Sequence, residues 1–100
     1  MTDIDDRAVG IAWYREDDYL LLRTMFQDGD VLPARFADWL AKARTLEQRI
    51  LNNGQAVEHV YIDPVSFPLW CESHGLAMNA MARTRFADDA VAQRHSVPPS

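Results

Sequence analysis

Two kinds of apolar pattern alternate along this chain. Val9, Ile11 and Trp13 interleave with Gly10, Ala12 and Tyr14, the period-two arrangement of a strand with one large face and one small. Gly10 inside that run predicts a bulge or a close approach of another backbone. From Arg15 the period changes. Glu16, Asp17 and Asp18 sit where the positive end of a helix dipole favours acids, and Leu21, Leu22, Met25 and Phe26 form the expected buried side. Asp28-Gly29-Asp30 reads as a turn, with Gly29 suited to the left-handed position after a helix.

Pro33 fits the first turn of a second helix. Phe36, Trp39, Leu40, Ala43, Leu46 (with Ile50) and Leu51 then recur at helical spacing. Arg35, Asp38, Lys42, Arg44 and Arg49 occupy the other side, with Asp38 and Lys42 four apart, where opposite charges support a helix. Asn53-Gly54 closes it. A second strand, Val57 to Ile62, sets Val57, His59 and Tyr61 against Glu58, Val60 and Ile62. Asp63-Pro64 is the pattern of an N-cap with proline at the first helical position. Pro68 then removes a ladder bond at the fifth position, which makes Ser66 the alternative cap. The helix bears Phe67, Trp70 and Cys71 and ends at Gly75. Asn79 caps a last helix with Ala82, Phe86 and Ala90 on one side.

The expected fold is therefore α+β: four helices on a very small two-stranded sheet, in the order β-α-α-β-α-α, with a β-α-α unit used twice. The chain reads as a single domain, residues 1–100, with frayed tails at 1–7 and 95–100. If the first two helices form an up-down hairpin, the second strand returns antiparallel to the first. Two strands alone are marginal in water and leave open edges, so a homodimer built on the strand edges, or on the aromatic faces beside them, is expected.

Composition narrows the function classes. Of 100 residues, 48% are hydrophobic and 25% charged, which suits one globular core. A net charge of −5 argues against a nucleic-acid surface and against a polybasic membrane anchor. The acidic start, Met1 to Asp6, has no apolar core for a signal peptide, and no stretch approaches the ~20 apolar residues of a membrane span. One cysteine cannot form an internal disulfide, which points to a reducing, cytoplasmic setting. Nine arginines to one lysine, with abundant alanine, suggest a GC-rich bacterial genome.

Ala12-Trp13-Tyr14, Asp18-Tyr19, Leu32-Pro33, Trp39-Leu40, Ile62-Asp63-Pro64, Phe67, Trp70-Cys71, Gly75, Ala82-Arg83 and Phe86-Ala87 together resemble a group of short bacterial proteins to which no activity is attached. The likeness spans roughly residues 11–87 and departs at Pro68. It implies no catalytic residue.

Candidate chemistry is sparse. Cys71 and His74, three apart on one helix, are half a zinc site or a thiol with its base, and His59 and Asp63 are the further ligands to hand. Against this stand the single close-spaced pair, the absence of a glycine-rich loop to offer amides, and the simpler reading of Cys71 as a small buried hydrophobe with His74 on the helix dipole. Glu16, Asp17, Asp18, Asp28 and Asp30 are explained by capping and solvation, since Asp28-Gly29-Asp30 falls well short of a calcium loop. Trp13 and Trp39 occupy core positions, whereas Tyr14, Tyr19 and Tyr61 divide evenly between core and surface groove. Arg83, Arg85 and Arg94 sit beside Asp88 and Asp89 as a solvated mixed face. No phosphate loop, dinucleotide glycine set, nucleophile elbow or His-Glu zinc pair occurs. The leading reading is a small non-catalytic binding or protein-interaction module, its partner a protein or a small ligand held between helices and sheet. No catalytic, cofactor or metal residue is assigned. The alternative is a small metal protein or thiol enzyme using Cys71, His74, His59 and Asp63.

Overall fold

Two five-residue strands, β1 (Val9–Trp13) and β2 (Val57–Tyr61), form the whole sheet of the computed structural model, which describes residues 8–94. The expected tails at 1–7 and 95–100 lie outside the described residues. Four helices follow the anticipated order: α1 (Glu16–Met25) and α2 (Phe36–Asn52) after β1, then α3 (Ser66–His74) and α4 (Ala80–Arg94) after β2. The chain is a small α+β domain with a β-α-α order used twice. In each half the first helix is short and the second long.

The strands are parallel, in register from Val9 opposite Val57 to Trp13 opposite Tyr61, which corrects the antiparallel expectation. The premise behind that expectation fails: α1 and α2 do not share the traverse as an up-down pair. A 3-10 turn (Gly29–Val31) and an extended link separate them, and α1 packs on that turn and on α2 rather than along the sheet. The 17-residue α2, about 25 Å long, alone carries the chain back to the start of β1. Parallel pairing requires a crossover of this kind.

The alternation along the strands decides which helix goes where. The large face (Ile11, Trp13, His59) looks towards α2: the Trp13 ring centre lies 5.1 Å from that of Trp39, and His59 meets Glu47. The small face looks towards α4. Val60 packs with Ala87 and Val91, and Arg94 reaches Glu58 at 3.0 Å. Since α2 and α4 take opposite faces, the repeated order does not become a repeated arrangement. Gly10 explains how closely α4 sits. A Cβ there would stand 2.6 Å from Val91 Cγ2 and 2.9 Å from the Ala87 carbonyl oxygen. The ladder runs unbroken through it, so Gly10 marks a close approach and not a bulge.

The core is an aromatic cluster at the C-terminal end of the sheet. Trp39, 8% exposed, touches Trp13, Tyr14, Tyr19 and Phe36 with ring centres 4.7–5.9 Å apart. On α1 the buried positions are Tyr19 and Leu22, followed by Phe26 just past the helix. Leu21, expected inside, is exposed, because the i, i+3, i+7 stripe that starts at Tyr19 leaves it on the outer side. On α2, Leu46 and Leu51 are likewise exposed. Pro33 precedes α2, which begins at Phe36.

Turn chemistry corrects the reading of Gly29 and decides between the two candidate caps of the third helix. Gly29 is not left-handed; glycine is needed because a Cβ would fall 1.7 Å from the Arg23 carbonyl oxygen. Asp63, not Ser66, caps the third helix, its Oδ2 accepting N–H bonds from Val65 (2.9 Å) and Ser66 (2.8 Å). Gly75 (φ +67°) ends that helix in the left-handed conformation, and Asn79 Oδ1 accepts the Ala82 N–H at the start of α4. No helix among the described residues is long and apolar enough to cross a membrane.

Candidate functional site

The four residues of the metal or thiol reading go to separate duties. Cys71 is buried in the core, and burial pushes its thiol pKa up, away from the reactive thiolate. His74 is exposed at the end of α3, stacked on Trp70, with Nδ1 donating to the Trp70 carbonyl oxygen at 2.9 Å. His59 stacks on Trp13 with ring centres 3.6 Å apart, and its Nε2 lies 2.9 Å from Glu47 Oε2. Asp63 is occupied as a cap, and the N–H groups of Ser66 and Val65 hold its carboxyl below the usual range. Among the described residues no three His, Cys, Asp or Glu side chains gather where they could hold a metal ion.

The tyrosines divide. Tyr14 and Tyr19 are core residues, and burial raises the Tyr14 phenol to about 12. Tyr61 is exposed beneath Arg15, whose guanidinium carbon lies 4.5 Å from the ring centre. Arg83 is the largest departure from the sequence reading. Instead of belonging to a solvated face it is 7% exposed, forked onto Asp28 through bonds of 2.8 and 3.1 Å. Asp28 is correspondingly no free turn acid: the hydrogen bonds from Arg83 lower its pKa. The one available signal was position, since Arg83 shares a helix side with Phe86 and Ala87.

What the strands leave open is more informative than these side chains. The Val9 N–H donates to the Ala56 carbonyl oxygen, and the Ile62 N–H donates to that of Trp13. In a parallel ladder those bonds put the main-chain groups of Val9, Ile11 and Trp13 towards β2. Gly10 and Ala12 therefore direct their N–H and C=O groups away from β2, at the outer edge of the sheet. That edge floors an open groove of about 380 Å³, in which Val9–Ala12 are flanked by Ala43, Leu46 and Ile50 of α2 and by Ala80 and Thr84 of α4. Among the described residues Lys42 and Arg83 are the two charged ones in its lining, and none of its lining residues is a carboxylate. The sequence pointed to open strand edges and to a ligand held between helices and sheet, but not to the residues that line this groove, because its lining depends on α2 and α4 taking opposite faces of the sheet.

Such an edge is a row of donors and acceptors between apolar walls, the arrangement that accepts another extended chain. Compared with known proteins, the chain matches no family model, no curated protein and no solved structure.

Proposed function

We propose that this protein is a small non-catalytic interaction module that binds an extended polypeptide segment by adding it as a third strand beside β1. The observation that carries this reading is the outward main chain of Gly10 and Ala12, opening between the walls formed by α2 and α4. Three features support it. The edge strand Val9–Trp13 contains no charge, no proline and no bulge, the devices that ordinarily keep an edge from pairing. A two-stranded sheet gains independent stability from a third strand. Leu46, 43% exposed on one wall, offers apolar surface to an incoming side chain. A second copy of the chain, pairing as a homodimer, is one source of that strand; the charge of the groove favours another. A lone, buried, unpaired cysteine suits a reducing compartment such as the cytoplasm.

Ala12→Pro tests the reading. It removes an outward N–H, which an edge strand tolerates, and it blocks strand addition. The variant should keep the circular dichroism of wild type and lose binding to extended peptides. Undiminished binding by a folded Ala12→Pro protein sinks the proposal.

A further inference from the structure

We infer that the strand this groove accepts is an acidic one, with a carboxylate two residues from an apolar side chain and a small residue between them. The inference rests on the strand-addition reading and names its partner.

Charge comes first. The chain as a whole carries −5, yet each wall helix holds three cations against two carboxylates. Among the described residues the groove is lined by Lys42 and Arg83 and by no acid. Arg83 is committed to Asp28, so its charge is already answered. Lys42 is not: it has no carboxylate partner among the described residues, and Asp38, one turn away, does not reach it. An acidic segment therefore meets an unanswered ammonium at the rim, whereas the uncharged β1 of a second copy leaves that ammonium unpaired.

Spacing gives the pattern. Lys42 and Leu46 are four residues apart on the same wall, about 6 Å along α2. Alternate residues of an added strand fall on one face about 6.6 Å apart. A carboxylate on Lys42 thus places the side chain two residues away against Leu46. The residue between points to the opposite wall, where Ala80 and Thr84 are small and α4 lies close to the sheet.

The test uses two capped pentapeptides, acetyl-Leu-Ala-Glu-Ala-Leu-amide and acetyl-Leu-Ala-Lys-Ala-Leu-amide, whose palindromic order makes chain direction immaterial. Each is titrated into nitrogen-15-labelled protein while the Gly10 and Ala12 amides are followed by NMR. The glutamate peptide should shift both amides and bind about tenfold more tightly than the lysine peptide, a gap that narrows with added salt. Lys42→Glu, at an exposed position, should reverse the preference. Equal affinity of both peptides at those amides overturns the acidic inference and leaves strand addition standing. No shift at Gly10 or Ala12 with either peptide overturns both. A dimer mass by light scattering, with the Gly10 and Ala12 amides already protected before any peptide is added, identifies a second copy as the occupant and overturns the inference as well.

Discussion

Arg83 and Asp28, 55 residues apart in the chain, meet through two parallel N–H···O bonds, and the same guanidinium lies 4.4 Å from the centre of the Phe26 ring. The pair ties α4 to the segment between α1 and the 3-10 turn, and it brings a full charge into the interior beside the aromatic cluster. Both ends of the guanidinium are used, by hydrogen bonds at one side and by the ring at another.

Removing one partner is the severe perturbation. Asp28→Ala leaves a buried guanidinium unpaired, which costs about 3–5 kcal/mol, a large part of the ~5–15 kcal/mol of a native domain. The melting temperature should fall by more than about 12 °C. Replacing both residues together, as Asp28→Ala with Arg83→Met, should recover much of the loss. A melt of the single variant within three or so degrees of wild type would contradict a role for the pair in stability.

Stability should decline at both ends of the pH scale. Hydrogen bonds from Arg83 hold the Asp28 carboxyl below its unfolded value of about 3.9, so its contribution is complete above that value and is lost as pH falls through the lower folded value. Burial raises Tyr14 to about 12, above the unfolded value of about 10. The folded state then holds its proton more tightly, and stability is lost as pH rises from about 10 towards 12. Urea midpoints across pH should flatten on the acid side in Asp28→Asn and on the alkaline side in Tyr14→Phe. Unchanged profiles in both variants refute the assignment.

Gly10→Ala should loosen the contact between α4 and the sheet. The new methyl meets Val91 at 2.6 Å and the Ala87 carbonyl oxygen at 2.9 Å, and the second is backbone that cannot swing aside. Overpacking of this kind costs about 1–3 kcal/mol. Val91→Ala in the same chain relieves only the side-chain part, so partial rescue is expected in denaturant unfolding. Full stability of Gly10→Ala means that α4 shifts without cost.

Trp39→Ala should leave the protein barely folded. The indole touches four other aromatic rings, and truncating a buried tryptophan costs about 3–5 kcal/mol. Near-wild-type thermal unfolding of this variant would place the ring outside the core.

The order of elements, the long second helix, the burial of Trp39 and the caps at Asp63, Gly75 and Asn79 were legible in the sequence, because each follows from local spacing or local turn chemistry. What the sequence withheld depends on distance. Strand direction turned on whether α1 or α2 carried the return, which no local pattern in 16–52 encodes. The burial of Arg83 depended on an acid 55 positions away, and the need for glycine at 29 on the carbonyl oxygen of Arg23. The groove came from helices on opposite faces of β1, so its residues could be read as helix and strand but not as neighbours. Cys71 and His74 part as the simpler reading of that helix has it: three residues apart, one goes into the core and one into solvent.

Every pair in the β ladder joins residues 48 positions apart, from Val9 with Val57 to Trp13 with Tyr61. Such contacts give nothing back until a loop of that length has closed, and loop closure is an entropic charge levied before any strand bond forms. The helices are local and can flicker into place within microseconds. Refolding should therefore show early helix and late sheet, with the stacking of His59 on Trp13 appearing in the slower phase. During that interval β1 exposes both edges instead of one, so a nascent chain is at its most adhesive just before it is finished.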